Sequence, residues 1–276
     1  MPELPEVETL ARALRPHAIG ARLTSVIVDG HAHWTQATDL AGGRVLGVRR
    51  IGKHLLIDCD GDATLDLHLG MSGAVRVGAA APQAREPLRT HERLRLLLRR
   101  GQERAVVSLV DPRGFGHAHV GARDAEGAVA LPALQAMGPD ALEAWTAAQL
   151  VADADGRRAP IKALLLDQHR VAGIGNYVAD EALFAAGVRP GRAAGSLRRP
   201  ALQRLHAAVL DVLHQSIAAG GASLRDYGHV DGGPGAMQWQ LRAYGRAGLP
   251  CMVCGHTLQR SVVAGRGTTS CPHCQR

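Results

Sequence analysis

Apolar residues at Leu4, Val7, Leu10 and Leu14 recur with helical spacing, which predicts an amphipathic helix near the start of the chain. From Arg22 to Gly78 the pattern changes to short runs broken by glycine: Leu23–Val28, Arg44–Val48, His54–Asp58 and Thr64–Leu69. Runs of this kind, with turn residues about every ten positions, predict a β-sandwich or barrel. Asp60-Gly61 reads as a hairpin turn. It does not read as a calcium loop with Asp58 and Asp62, because the glycine is misplaced and Leu69 stands where a bidentate glutamate belongs. Between Ala122 and Gly138 the sequence weakens into alanine, glycine and proline, a link between domains. Helical periods follow over Ala141–Ala152, Ile161–Gln168, Tyr177–Ala186 and Pro200–Ala219. A glycine-rich stretch from Gly220 to Gly235 then reads as a flap over a ligand.

Of the 276 residues, 46% are hydrophobic and 21% charged, the balance of a globular protein. No run approaches the roughly 18–20 apolar residues of a membrane span, and the acidic start is unlike a signal sequence, so a cytoplasmic protein is expected. The net charge of +7 points to a polyanion partner, although a GC-rich genome would also favour arginine. Lys53 and Lys162 are the only lysines, so an imine-forming enzyme of this sequence could use only them or the amine of Pro2.

That amine is the most reactive prospect. If Met1 is removed, Pro2 presents a terminal amine, whose class titrates near ~7.7–8.0, at the head of a helix. Glu3 and Glu6 lie three apart beside it and could move protons, while the same residues also make a good helix start. His68-Leu-Gly-Met-Ser-Gly73 and Asp111-Pro-Arg-Gly-Phe-Gly116 read as exposed loops. Met71, Arg113 and Phe115 on them have the makeup of a wedge that enters a base stack, while each loop taken alone also reads as an ordinary turn with a core-facing neighbour. The pairs His31/His33 and His117/His119 each share one strand face, with no third ligand evident, and read as surface histidines. The turn ending at Asn176 opens a helix whose N–H groups suit a phosphate, and reads equally as an ordinary helix cap. Cys251, Cys254, Cys271 and Cys274 form two C-x2-C pairs with sixteen residues between them, the spacing of a zinc ribbon. Four thiolates leave no open position, so one structural zinc is expected. Arg266 stands at the ribbon's hairpin tip, and Cys59 reads as a buried apolar residue.

Taken together, Pro2-Glu-Leu-Pro-Glu-Val-Glu-Thr9, Gly52-Lys-His-Leu-Leu56, the loops at 68–73 and 111–116, Gly138-Pro139, the turn ending at Asn176, Tyr244-Gly-Arg246 and the cysteine quartet resemble the bacterial formamidopyrimidine-DNA glycosylases. The resemblance implies an α+β enzyme with a β-sandwich lobe behind an N-terminal helix, a helical lobe with a helix-two-turns-helix motif, a zinc finger, and DNA between the lobes. The corresponding domains are 1–128, 138–250 with a flap loop at 220–237, and 251–276. Oxidised purines such as 8-oxoguanine and formamidopyrimidines would be flipped out and excised through a Schiff base at Pro2. In that likeness Glu3 is the proton donor, Lys53 the β-elimination acid and Arg266 the residue of δ-elimination. His68, His91, Arg113, Arg157 and Asn176 fall on DNA contacts, and Met71, Arg113 and Phe115 on the wedge. A monomer acting on double-stranded DNA in the bacterial cytoplasm, associated with the nucleoid, is implied.

Four places depart from the family pattern: Gly114 replaces a second arginine, Tyr177-Val178 replaces Ile-Tyr, and Thr269-Ser270 and Ala236 stand where aromatics are customary. They bear on opposite-base stringency, flap packing and lesion choice. Two other readings of the same residues remain. One is an endonuclease VIII-type enzyme for oxidised pyrimidines, although Leu4 stands where that group has glycine. The other is a non-catalytic relative that binds damaged DNA.

Overall fold

The first helix, α1 (Leu4–Ala18), buries Leu4, Val7, Leu10, Ala11 and Leu14, the stripe expected from their spacing. In this computed structural model residues 2–30, 33–79, 86–223 and 233–276 are described. The expectations for Met1, for His31 and for most of the flap loop lie outside them. The chain divides into two compact units, Met1–Ala136 with Ala219–Ala236, and Met137–Ala218 with Met237–Arg276.

Among the described residues of the first unit, eight antiparallel strands form two four-stranded sheets. One has the order β1 (Arg22–Val28), β6 (Glu92–Arg100), β7 (Glu103–Val110), β5 (Ala74–Ala79). The other runs β2 (Val45–Ile51), β3 (His54–Cys59), β4 (Ala63–His68), β8 (His117–Ala122). Leu55, Ile57, Leu65, Leu67 and Ala118 of the second sheet share one apolar core with Leu94, Leu96, Leu98, Val107 and Leu109 of the first and with α1. Alternate residues of each strand therefore face this core, as the period of two requires. The β3–β4 turn is the expected hairpin, with Gly61 and Asp62 at φ 69° and 55°. Asp58 is tied to protein partners: it accepts from Arg49 at 2.8 Å and from Thr64 Oγ1 at 2.7 Å, and Arg123 lies 3.1 Å away. Cys59 is buried, and burial together with the charges of Asp60 and Asp58 pushes its thiol up to about 11.

The short α2 (Pro132–Gln135) precedes the second unit. There the helices are α3 (Ala147–Ala154), α4 (Ile161–Leu166), α5 (Asn176–Ala185) and α6 (Arg199–Ala218). The sequence pattern starts α3 at Ala141. The helix begins six residues later because Asp140 accepts the Leu142 N–H at 3.0 Å and turns the chain, and Thr146 and Gln149 then form a capping box. Residues Tyr177 to Phe184 of α5 are all buried, making it the core helix of this unit. Buried Glu181 accepts the N–H groups of Arg242, Ala243 and Tyr244 at 2.8–3.0 Å, anchoring the chain that leads into the cysteine quartet. The hairpin β9 (Gln259–Val263) and β10 (Arg266–Ser270) turns at Ala264 and Gly265, both in the left-handed region. No described helix is long and apolar enough to cross a membrane.

Candidate active site

Pro2 and Glu3 are buried at the head of α1, and Glu3 takes the extended N-cap conformation. The sequence reading gives Glu6 a share in proton transfer, but its carboxylate is occupied structurally. Oε2 accepts the Glu3 N–H at 2.7 Å and Oε1 accepts the Ala222 N–H at the same distance. Glu6 thus fixes the backbone beside Pro2 and the backbone at Ala222 together. Replacing Glu6 with alanine leaves two N–H groups without this acceptor, at about 1–3 kcal/mol each. We expect a lower melting temperature and a reduced rate of chemistry at Pro2 in the same variant. Melting indistinguishable from the parent would refute this role.

Two residues further along α1, Glu8 reaches toward the turn that carries Lys53. Its Oε2 lies 3.2 Å from Arg50 Nε, and Arg50 Nη1 donates to the Gly52 carbonyl at 3.1 Å. Arg50 is fully enclosed and Lys53 is itself buried. Burial raises the Glu8 carboxyl, but hydrogen bonding to Arg12 and the charge of Arg50 outweigh this and hold it below the usual carboxylate range. An ion pair from Glu8 to Arg50 and a hydrogen bond from Arg50 to Gly52 therefore couple the helix that follows Pro2 to the β2–β3 turn bearing Lys53.

The loops at 68–73 and 111–116 are organised by Asp111, a fully buried residue that the sequence shows only as the first position of the second loop. Its Oδ1 accepts from Ser72 Oγ at 2.6 Å, joining the Met71 loop to the second loop. Its Oδ2 accepts the Gly116 N–H at 2.8 Å, and its own N–H donates to the His91 carbonyl at 2.8 Å. Met71, His91, Arg113 and Phe115 are brought around this aspartate, and all four are exposed. Exposed Phe115 costs apolar surface in water. The Arg113 guanidinium lies 5.0 Å from its ring centroid, a cation–π contact that stiffens the tip. Gly70 is required between the loops, since a Cβ there would lie 2.5 Å from the Phe115 carbonyl carbon. Gly114, the departure from the family's second arginine, has φ 67°, a conformation that favours glycine.

His68 ends β4, and its Nδ1 accepts the Gly70 N–H at 3.2 Å, so its proton is on Nε2. Burial, followed by the neighbouring His54 and His117, pushes it down to about 3. It therefore offers a neutral donor and no charge. Behind it the expectation of surface histidines fails for the second pair. His117 is half-buried, stacks on His68 with ring centroids 5.1 Å apart and lies 3.6 Å from Asp66. His54 Nδ1 bonds the same carboxylate at 2.8 Å. Burial raises the Asp66 carboxyl, but His117 and the His54 hydrogen bond overcome this and hold it at about 2. These partners come from three strands, so no local motif announces them.

In the second unit Arg266 is exposed at the start of β10, and the residues behind it are latched to the helices. Asn176 Nδ2 donates to the Gly267 carbonyl at 2.9 Å. Buried Lys162 donates to Thr268 Oγ1 at 2.7 Å and lies 2.6 Å from Asp180 Oδ1, while Asp180 Oδ2 accepts the Thr269 N–H at 3.0 Å. Burial pushes the Asp180 carboxyl up in spite of the lysine beside it. Arg157 is half-buried, its Nε donating to the Asp153 carbonyl and its own carbonyl accepting the Gly195 N–H at 2.9 Å.

The four thiolates converge. Cys251 and Cys274 sulfurs are 3.9 Å apart and those of Cys254 and Cys271 3.5 Å. A tetrahedral zinc with Zn–S bonds of about 2.3 Å needs sulfurs about 3.8 Å apart. The donors fit one zinc, held by protein alone. The Val253 N–H reaches the Cys251 sulfur at 3.5 Å and the Cys274 N–H the Cys271 sulfur at 3.4 Å, the contacts of two metal-binding knuckles.

Three family models match successive parts of the chain. They are the formamidopyrimidine-DNA glycosylase N-terminal domain over residues 1–118, its H2TH domain over 137–227, and the zinc finger found in FPG and IleRS over 248–276. The formamidopyrimidine-DNA glycosylase of Thioalkalivibrio sulfidiphilus is 44% identical, and that of Xanthomonas oryzae pv. oryzae 42%, each over the full length of both chains. Among solved structures, the MutM (FPG) protein of Thermus thermophilus has a TM-score of 0.86 at 40% identity, covering 99% of this chain and 98% of its own. A MutM complex with DNA containing carbocyclic 8-oxo-G has a TM-score of 0.87 at 31% identity, and the Lactococcus lactis Fpg bound to abasic-site DNA 0.86 at 29%, both covering the full length of both chains. On these matches the chain belongs to the formamidopyrimidine-DNA glycosylase family.

Proposed function

We propose that this chain, with Met1 removed, excises oxidised purines such as 8-oxoguanine and formamidopyrimidines from double-stranded DNA and then cuts the abasic strand by β- and δ-elimination. The observation that carries this reading is the buried Pro2–Glu3 end of α1, braced by Glu6 and joined through Glu8 and Arg50 to the turn of Lys53. The lone pair of the Pro2 nitrogen forms a bond to C1′ as the glycosidic bond breaks, and the proton that the nitrogen then loses neutralises the departing base. Glu3 gives a proton to the sugar oxygen O4′ as the ring opens, leaving an iminium between Pro2 and C1′. Loss of a C2′ proton then expels the 3′ phosphate, with Lys53 as the acid. Loss of the 5′ phosphate follows with Arg266 beside it.

His68, His91, Arg157 and Asn176 contact the DNA backbone, His68 as a neutral donor through Nε2. Met71, Arg113 and Phe115 fill the gap left by the flipped nucleotide, with Arg113 toward the orphaned base. The division of labour follows residues 1–128 for chemistry, 138–250 with the 220–237 flap for holding DNA, and 251–276 for the zinc finger, in which Cys251, Cys254, Cys271 and Cys274 hold the metal. The protein acts as a monomer on the nucleoid DNA of the bacterial cytoplasm. Relatives solved with 8-oxo-G and abasic-site DNA support this partner.

Turnover of duplexes with 8-oxoguanine opposite cytosine is expected to exceed that of duplexes with thymine glycol. The reverse order would replace the reading with the pyrimidine enzyme. The Arg266→Ala variant should release the base at the parent rate while δ-elimination falls by roughly 100-fold. An unchanged ratio of β to δ products would remove Arg266 from its role.

A further inference from the structure

The outer face of the second sheet carries a donor set that the chemistry above does not use. Strand pairing places His54 opposite His68 and His68 opposite His117, with Asp66 two residues back on the central strand opposite His119. All five side chains therefore stand on one face. Asp66 is fully buried and His54 nearly so. His54 Nδ1 lies 2.8 and 3.1 Å from the two Asp66 oxygens. His117 Nε2 lies 3.6 Å from Oδ2, beyond hydrogen-bond distance, and this buried nitrogen has no hydrogen-bond partner. One donor atom each from His54, Asp66 and His117 falls within 4.8 Å of the other two.

We infer that His54, Asp66 and His117 form a second binding site, for a divalent transition cation, separate from the cysteine quartet. Two imidazoles and one carboxylate are the ligand set of zinc sites that keep an open position. Bonds of about 2.0–2.2 Å place tetrahedral ligands roughly 3.3–3.6 Å apart, so side-chain shifts of about an ångström close the site. On binding, the Nδ1 proton of His54 passes to Nε2, freeing the Nδ1 lone pair. Asp66 supplies the negative charge, and water fills the fourth position. His68 is not a ligand through Nδ1, which the Gly70 N–H occupies. The stacking of His119 on His117, ring centroids 4.5 Å apart, fixes the His117 ring plane. The exposed pair His256 and His273 is no independent alternative, because its third donor is Cys254 of the quartet.

The test uses the full chain with its quartet loaded by one zinc, dialysed against Co2+. We expect one cobalt per chain, with visible d–d absorption and without the thiolate charge-transfer band that cobalt in the quartet would give. His117→Ala, at a half-buried position, and His54→Ala should each weaken cobalt binding by at least about tenfold while the zinc content stays at one. His119→Ala should retain it. Should either ligand variant misfold, imidazole NMR of the parent protein during Zn2+ titration decides the matter, since His54 and His117 resonances must shift together at one added equivalent. No cobalt bound beyond the zinc, cobalt retained in both ligand variants, or unshifted His54 and His117 resonances would overturn the site.

Discussion

Placing a single residue ahead of Pro2 abolishes base release and strand scission, while affinity for lesion DNA stays within about threefold of the parent, under about 1 kcal/mol. The expectation follows from the chemistry of the nitrogen. An amide nitrogen has its lone pair delocalised into the carbonyl and cannot attack C1′, whereas the free amine can. The local structure keeps the amine in place, because Pro2 is buried and Glu6 fixes the next N–H. Borohydride added during turnover should link the parent to DNA through Pro2 and leave the extended protein unlinked. An extended protein that is still trapped, or an adduct mapped to Lys53 or Lys162, would move the nucleophile elsewhere. Tight binding without trapping in the parent would favour a damaged-DNA binder.

Most of the fold is legible in local patterning, for identifiable reasons. The α1 stripe, the Asp60-Gly61 hairpin and the cysteine spacing each specify structure within a few residues, and each forms as read. What sequence does not announce is carried by buried ionisable side chains bonded to distant partners. Asp111 to Ser72, Glu6 to Ala222, Asp66 to His54 and His117, and Lys162 to Asp180 and Thr268 all join separate elements. A lone aspartate or glutamate in an apolar strand or helix gives a hint, since such residues are rarely buried without partners. Asp66 between Leu65 and Leu67 and Glu6 beside Val7 are of this kind, but the hint does not name the partner. The His117/His119 pair misleads in the opposite direction, because strand alternation places both on one face without telling whether that face meets water or Asp66.

Replacing Lys162 with alanine should destabilise the second unit by about 3–5 kcal/mol, because it leaves the Asp180 carboxylate buried without its cation. Burial already pushes this carboxyl up with the lysine present, so little else nearby offsets its charge. The paired change Lys162→Met with Asp180→Leu removes both charges at similar volume, and most of the lost stability should return. Function should not return with it. Thr268 Oγ1 loses the Lys162 donor and the Thr269 N–H its carboxylate acceptor, so the strand that begins at Arg266 keeps the Asn176 bond and its strand pairing but loses two polar ties to the helices. Thermal melting and product analysis on the two variants separate these effects: the single change lowers melting, and the double change restores melting yet still yields less δ-product than the parent. A double variant with the parent's product ratio would show that the buried pair supports the fold without positioning Arg266. A single variant melting within about 1 kcal/mol of the parent would mean that the pair contributes little even to the fold.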